Sequence, residues 1–309
     1  MERSFDVLVL GDANPDLVLR GGDLGPVADQ REALVESATF TVGGSGAIFA
    51  CAAARLGLRV AFAGVVGDDV FGRFMREELR GRGVDARGLV VREGRSTGVS
   101  VVLSRPGDRG TYTVPGTVAD LNAEVVDREL LASVEHVHVA SFYLQRALGP
   151  DLPRLLGEVR SAGATTSLDP NWDPAEAWNS GLLELLAHVD LFLPNAAEAL
   201  RIAGRDDLEA AVGHLASRAG TVAVKLGDGG GLARRGEEIV RLPGIPVDVV
   251  DATGAGDAFD AGFVLGLLRG WPLERALSLA NACGGLSCRS IGGVDGQPTL
   301  DEALAFTGP

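Results

Sequence analysis

Two hydrophobic periods alternate along the chain. The short runs Val7-Leu8-Val9-Leu10, Val137-His138-Val139, Thr165-Thr166-Ser167-Leu168, Leu191-Phe192-Leu193 and Val222-Ala223-Val224 are rich in β-branched and apolar residues, and predict buried strands. Helical patterns lie between them. Ala47 to Leu56 predicts a helix stopped by Gly57 at the C-cap position. Phe71, Phe74, Met75 and Leu79 form an apolar stripe at helical spacing. Strand–helix alternation of this kind implies an α/β fold with a mostly parallel central sheet covered by helices on both faces.

Two stretches break the alternation. Residues 15–42 and 95–118 are β-rich, carry Gly, Pro and Asp turn signals, and show no helical period. Ser96 to Val102, then Arg105 to Gly110, then Thr111 to Val114 read as a hairpin. Together these stretches predict a small β-sheet lid (15–42 and 95–118). The main domain is then made of residues 1–14, 43–94 and 119–309. A flap beside an α/β core is a common device for closing over a substrate.

Composition narrows the class. The chain has 309 residues and is 46% hydrophobic, enough for one large domain with an appendage. No apolar run approaches the roughly 18 residues of a membrane span. The charged start, Met1 to Asp6, leads into a strand-like run and does not read as a signal peptide. A net charge of −14 argues against nucleic-acid and anionic-membrane partners. It does not argue against ATP, because backbone dipoles and a divalent cation hold a triphosphate locally. Cys51, Cys283 and Cys288 lack metal-ligand spacing and read as buried thiols of a cytoplasmic protein.

The densest chemical signal runs from Asp251 to Phe263, through Thr253, Gly254, Ala255, Gly256 and Asp257. The run Ile245 to Val250 looks like an entering strand, and Phe259, Phe263 and Leu267 mark one face of a departing helix. Small residues at such a turn let the backbone approach a ligand, and the free N–H groups of a helix start attract an anion. A carboxylate aimed at the same point accepts a proton from an attacking hydroxyl, which is the combination phosphoryl transfer needs. On composition alone Asp257 reads equally well as a helix N-cap, with the glycines as a tight turn. The chain has neither a GxxxxGK(S/T) nor a complete GxGxxG motif, so P-loop and dinucleotide-binding folds lose support.

The segment resembles the second signature of the PfkB (ribokinase-like) family of carbohydrate and nucleoside kinases. Gly43-Gly44-Ser45-Gly46-Ala47, continuing to Ala53-Ala54-Arg55-Leu56-Gly57, is similar to the first. Gly11 to Asp16, Val66 to Asp69 with Phe71-Gly72, Pro194-Asn195-Ala-Ala-Glu198 and Lys225-Leu226-Gly227 follow in family order. The resemblance implies a three-layer α/β/α sandwich with a small β-sheet lid, and an ATP-dependent kinase using Mg²⁺. It implies Asp257 as the catalytic base and Gly254, Ala255 and Gly256 as the anion hole for the transferred phosphoryl group. Asp16, Gly43 and Gly44 match sugar-binding positions. Asn195, Glu198, Lys225, Gly227 and Asn281 match nucleotide-side positions, with Glu198 acting on Mg²⁺ through water. Asp251 and Thr253 match a monovalent cation site, K⁺ in this family. Family members often dimerise through the lid, so a homodimer is implied here too.

Asn195 and Glu198 also read as a capping pair, Lys225 as a solvated strand-end charge, and Asn281 as a polar helix-face residue. His136, His138, His188 and His214 match no family role and read as structural or exposed. The chain departs from the family at Ile48, where an Asn is usual, and at Ser45, where ribokinases carry a Lys. Both changes predict a drier, less charged pocket wall. No Arg cluster marks a sugar-phosphate site, although Arg20, Arg31, Arg105 and Arg109 are scattered through the lid segments. Asp169-Pro170-Asn171-Trp172 through Trp178 resembles a stretch of fructokinase-like members, and an aromatic face there suits either packing or stacking on a substrate. A sugar kinase is the first reading. A nucleoside kinase, and a non-catalytic sugar- or nucleotide-binding regulator, are its alternatives.

Overall fold

The computed structural model describes residues 3–307 apart from residues 23, 26, 27, 106 and 107, and not the side chains of Asp108 and Arg109. Pro106 and Gly107, in the expected hairpin turn, therefore lie outside the described residues, as do three lid positions and both chain ends. The described residues form thirteen strands: β1 (Phe5–Leu10), β2 (Asn14–Arg20), β3 (Ser37–Gly43), β4 (Val60–Gly67), β5 (Asp85–Arg92), β6 (Val99–Arg105), β7 (Asp108–Val114), β8 (Val134–Val139), β9 (Thr165–Leu168), β10 (Leu191–Phe192), β11 (Thr221–Lys225), β12 (Gly231–Arg235) and β13 (Glu238–Leu242).

Nine of them form one sheet in the order β13-β12-β11-β10-β9-β8-β1-β4-β5. Pairing is parallel from β11 through to β5, and antiparallel only at the β12 and β13 edge. Side chains alternate between the faces of a strand, so a strand buried on both sides feeds two cores. In β1, Val7 and Val9 enter the core under the helices Ser45–Arg55, Val70–Gly81, Ala255–Leu268 and Leu273–Ser287. Leu8 and Leu10 enter the opposite core, under Leu152–Ser161, Ala196–Ala203 and Leu208–Ala216. The architecture is the expected three-layer sandwich.

The remaining strands form a second sheet, β3-β2-β6-β7, whose outer pairs are antiparallel and whose central pair is parallel. Its two faces differ. Asp16, Thr41, Ser100 and Thr113 share one face, and Leu17, Phe40, Val101 and Tyr112 share the other. Phe40 reaches the main body at the Phe74 ring, 4.6 Å between centroids.

One expectation fails. Ile245 to Val250 forms no strand; it is a loop tied down by Val250 N–H donating to the Cys288 carbonyl at 2.8 Å. Pro246 lacks a ladder donor, and Val249 is 64% exposed, so the apolar run finds no sheet neighbour to cover it. No described helix is long and apolar enough to cross a membrane.

Candidate active site

Parallel strands end at a common edge, and that edge gathers the polar residues of the following loops. Asp12 follows β1, Ser141 follows β8, Asp169 follows β9, Asn195 follows β10, and Lys225 closes β11. All of these lie on the side towards which Asp257 projects from the start of the Ala255–Leu268 helix.

That helix begins at Gly254, which has φ of 73° and serves as N-cap without any side-chain capping bond. Glycine is required there twice over. The backbone is left-handed, and a Cβ would lie 2.7 Å from Gly293 Cα and 2.8 Å from Ile48 Cγ2. Ala255 N–H leans back to the Ala252 carbonyl at 3.3 Å. The N–H groups of Gly256 and Asp257 have no acceptor among the described residues, which leaves them to an external anion. Asp257 is 9% exposed and does not cap its helix; it accepts instead from the Ser45 hydroxyl through Oδ1. Burial, with the charges of Asp169 and Asp12, pushes its carboxyl up to about 8, against the pull of Ser45 and Lys225. A carboxyl shifted this far can exchange a proton near neutral pH.

Lys225 is not a solvated charge. Its side chain is only 13% exposed, and its ammonium donates to Asp169 Oδ2 at 2.8 Å and to Asp260 Oδ2 at 3.1 Å. A Cβ on Gly256 would stand 3.6 Å from Lys225 Nζ, so this cation lies beside the Gly254–Gly256 turn. Burial alone would lower the lysine's pKa; Asp169, Asp260 and Glu198 outweigh it and hold the ammonium charged. Asp169 stays ionised below the usual range because Lys225 and its hydrogen bonds outweigh burial, whereas burial and the charge of Asp169 drive Asp260 well above it. Carboxylate oxygens of Asp169, Asp257 and Asp260 lie within 4.8 Å of one another. The lysine ammonium already supplies the cation this cluster needs, so we read it as a lysine site.

Asn195 and Glu198 form a reciprocal capping box on the helix Ala196–Ala203, at 2.8 and 2.9 Å. Asn195 is also bridged to Lys225 in parallel register, which brings the two motifs together. Capping uses Glu198 Oε2 and leaves Oε1 without a donor among the described residues. Burial and nearby Asp169 push Glu198 up to about 7. A half-spent carboxylate of this kind suits a hydrated divalent cation.

The second sheet borders the other side. Asn14 Nδ2 donates to Asp16 Oδ1 at 3.4 Å and to Ser100 Oγ at 3.2 Å, and Ser100 meets Thr113 at 3.0 Å. A Cβ on Gly43 would overlap the Asp16 carboxylate, so a larger residue there would displace that side chain. Gly44, with φ of 79°, begins the helix Ser45–Arg55. Asp12 anchors this helix start, accepting from Gly46 N–H at 2.9 Å, Ser45 N–H at 3.2 Å and Ser141 Oγ at 2.9 Å. Asn171 continues the chain, donating to Ser141 Oγ at 2.8 Å through its side chain and to Asp169 Oδ1 at 2.9 Å through its backbone.

Other candidates lie apart. Asp251 is buried and accepts from Thr253 N–H, Thr253 Oγ1 and Gly292 N–H at 2.8–3.0 Å, with no cationic partner among the described residues. Gly227 is exposed in a left-handed turn after β11. Asn281 spends its amide N–H groups on the Leu242 and Pro243 carbonyls, tying its helix to the end of β13. Ile48 corrects the expectation of a drier pocket wall: it is 4% exposed and packs against Gly254 and Gly293, behind the anion-hole turn. Arg31 and Arg105 donate to lid carbonyls, and the Arg109 side chain lies outside the described residues. His136 and His138 are buried between strands, and burial pushes both down to about 3.

Asp12, Asp169 and Asp260 were given no role by sequence reasoning, and Ser45 only a place in a less charged pocket wall. The only signal was that each sits inside or beside a motif. A carboxylate's burial cannot be seen along the chain.

Residues 4–300 match the pfkB family carbohydrate kinase profile. The chain is 34% identical over 302 residues to the ATP-dependent ribose-1-phosphate kinase of Halopiger xanaduensis, with 97% of each chain covered. Its fold superposes on a putative ribokinase II of E. coli in complex with ATP and Mg²⁺, with TM-score 0.84, 27% identity and 98% of both chains covered. An adenosine kinase from Sinorhizobium meliloti gives TM-score 0.85 and 27% identity, covering 97% of this chain and 98% of its own. The chain belongs to the pfkB family of carbohydrate kinases and has the ribokinase-like fold. Its class of reaction is ATP-dependent phosphoryl transfer to an alcohol group.

The buried ion pairs generate a stability prediction. Lys225→Met should destabilise the protein by about 3–5 kcal/mol, because two buried carboxylates lose their common cation. Urea unfolding at pH 7.5 measures this, and a loss below about 1 kcal/mol would show the pairs to be solvated.

Proposed function

We propose that the protein phosphorylates a hydroxyl of a sugar, with Asp257 as general base and the Gly254–Gly256 turn as anion hole. The observation that carries this reading is the coincidence at one helix start of a carboxyl pushed up to about 8 and two backbone N–H groups without acceptors. The acceptor sugar lies under the lid, with Asp16, Gly43 and Gly44 holding its hydroxyls. Asp257 takes the proton of the hydroxyl that attacks the γ-phosphoryl group. The turn N–H groups, with Lys225 beside Gly256, stabilise the charge on the transferred oxygens.

The nucleotide lies along the Asn195, Lys225 and Gly227 edge, with its base towards Asn281. Mg²⁺, organised through water by Glu198, would neutralise phosphate charge there. K⁺ would complete the buried, uncompensated charge of Asp251 beside the Thr253 carbonyl. A nucleoside is the second reading for the acceptor, favoured by Trp172, which is 44% exposed and stands edge-on to Trp178 at 4.9 Å. The lid's outer face carries Phe40, Tyr112 and Val114 at 44–68% exposure, and a second copy of the chain would cover it. Residence in the cytoplasm belongs to the same reading.

Asp257→Asn should lower kcat by several orders of magnitude with ATP binding retained, in a coupled ADP assay over sugars, sugar acids, sugar phosphates and nucleosides. A carboxyl whose folded pKa is raised binds its proton more tightly in the folded state. Its contribution to stability is therefore full below about 3.8 and declines as pH rises towards about 8. The same variant should accordingly unfold at a higher temperature than wild type at pH 8.5, and kcat/KM of the wild type should rise with pH through about 8. Near-normal turnover by the variant would remove the base assignment. Replacing Na⁺ with K⁺ should raise activity, and indifference to the cation would remove the Asp251 site. Light scattering should give a dimer, which Tyr112→Asp should dissociate; a monomeric wild type would exclude the lid interface.

A further inference from the structure

The helix Ser45–Arg55 starts in an unusual way. Its N-cap is Gly44, so no side chain caps it, and the hydroxyl of its first residue is not turned back onto its own backbone. The Ser45 hydroxyl instead crosses to another helix and donates to Asp257 Oδ1. Both partners are buried, at 8% and 9% exposure.

Three features keep the hydroxyl aimed there. Asp12 grips the Ser45 and Gly46 N–H groups, which fixes the first turn of the helix relative to β1. Ser141 and Asn171 hold Asp12 in turn, and Asn171 N–H meets Asp169, the carboxylate that binds Lys225. One turn on, Ile48 packs against Gly254 at the start of the second helix. The two helix starts are thus registered to each other by a polar contact on one side and an apolar one on the other.

A carboxylate has two oxygens, and only one of them has the right position to take the substrate's proton. Asp257 Oδ2 has no hydrogen-bond donor among the described residues, while Oδ1 is taken by Ser45. We propose that Ser45 is a positioning residue of the phosphoryl-transfer reaction: its hydroxyl pins one oxygen of Asp257 and so presents the other to the acceptor hydroxyl. The inference rests on Asp257 being the base. It adds a determinant in the first glycine motif that acts through that base.

Loss of the hydroxyl has two separable effects. The freed carboxylate rotates, so fewer bound complexes are correctly aligned, and kcat falls while ATP affinity holds. The ionised carboxylate also loses a donor, so it takes up a proton more readily. The other charged groups facing Asp257 are Asp12 after β1, Asp169 after β9, Lys225 at the end of β11 and Asp260 one turn along its own helix, and the substitution leaves all four in place.

The test compares wild type, Ser45→Ala and Asp257→Asn in steady-state kinetics from pH 6 to 9.5, with folding checked by circular dichroism. Ser45→Ala should lower kcat by roughly ten- to a hundredfold with the KM for ATP unchanged, the scale expected for misplacing a general base. The acid limb of its kcat/KM profile should move to higher pH. If Ser45→Ala keeps wild-type kcat and an unmoved limb while Asp257→Asn is inactive, the positioning role is overturned and the base stands. If Asp257→Asn keeps near-normal turnover, the base reading falls, and this inference with it.

Discussion

The architecture of the site is constrained by one ammonium among several buried carboxylates. Lys225 is the cation that Asp169 and Asp260 share, with Asp257 and Glu198 close by and Asp12 one hydrogen bond further round. Buried charge is tolerated only when paired and hydrogen-bonded. Asp169 and Lys225 satisfy that rule directly. Asp260 and Asp257 meet it by drifting towards the protonated form, the first well above its ordinary value and the second to about 8. Burial first, and the surplus negative charge around one lysine second, give Asp257 the basicity that the proposed chemistry calls on.

The same residues also tie the layers together. A continuous path of hydrogen bonds runs from Asp257 through Ser45, Asp12, Ser141, Asn171 and Asp169 to Lys225. It starts on one helix, touches the loops after β1, β8 and β9, and ends at β11. The links are buried at Ser45 and Asp12 and partly buried at Asn171 and Lys225, and a shift in one loop is felt by the next. The apolar counterpart is Ile48 against Gly254, which supports the anion-hole turn from behind. Polar positioning in front and close packing behind leave the turn little freedom, as a preorganised anion site requires.

Much of the fold was legible from periodicity. The two-faced apolar runs became parallel strands, and the Phe71 to Leu79 stripe became the helix Val70–Gly81. Ile245 to Val250 was misread because apolar character does not guarantee a neighbour: a strand needs a free sheet edge, and Pro246 had given up a donor. For the site, Gly254, Gly256 and Asp257 stood out because adjacent small residues and a carboxylate make a local pattern. Ile48 did not reveal its role. Its contacts, Gly254 and Gly293, lie some two hundred residues away in sequence.

By itself the sequence determined the α/β alternation, the turn at Gly254 to Asp257 and the family motifs, because each of these depends on residues that are neighbours along the chain. Tertiary structure alone decided that Lys225 lies between two aspartates, that the Asn195 and Glu198 capping pair faces that lysine, and that Ser45 reaches Asp257. Those outcomes depend on desolvation and on distances across the common edge of a parallel sheet. Burial of a charge is a property of what surrounds it, and the surroundings come from strands scattered over the whole chain.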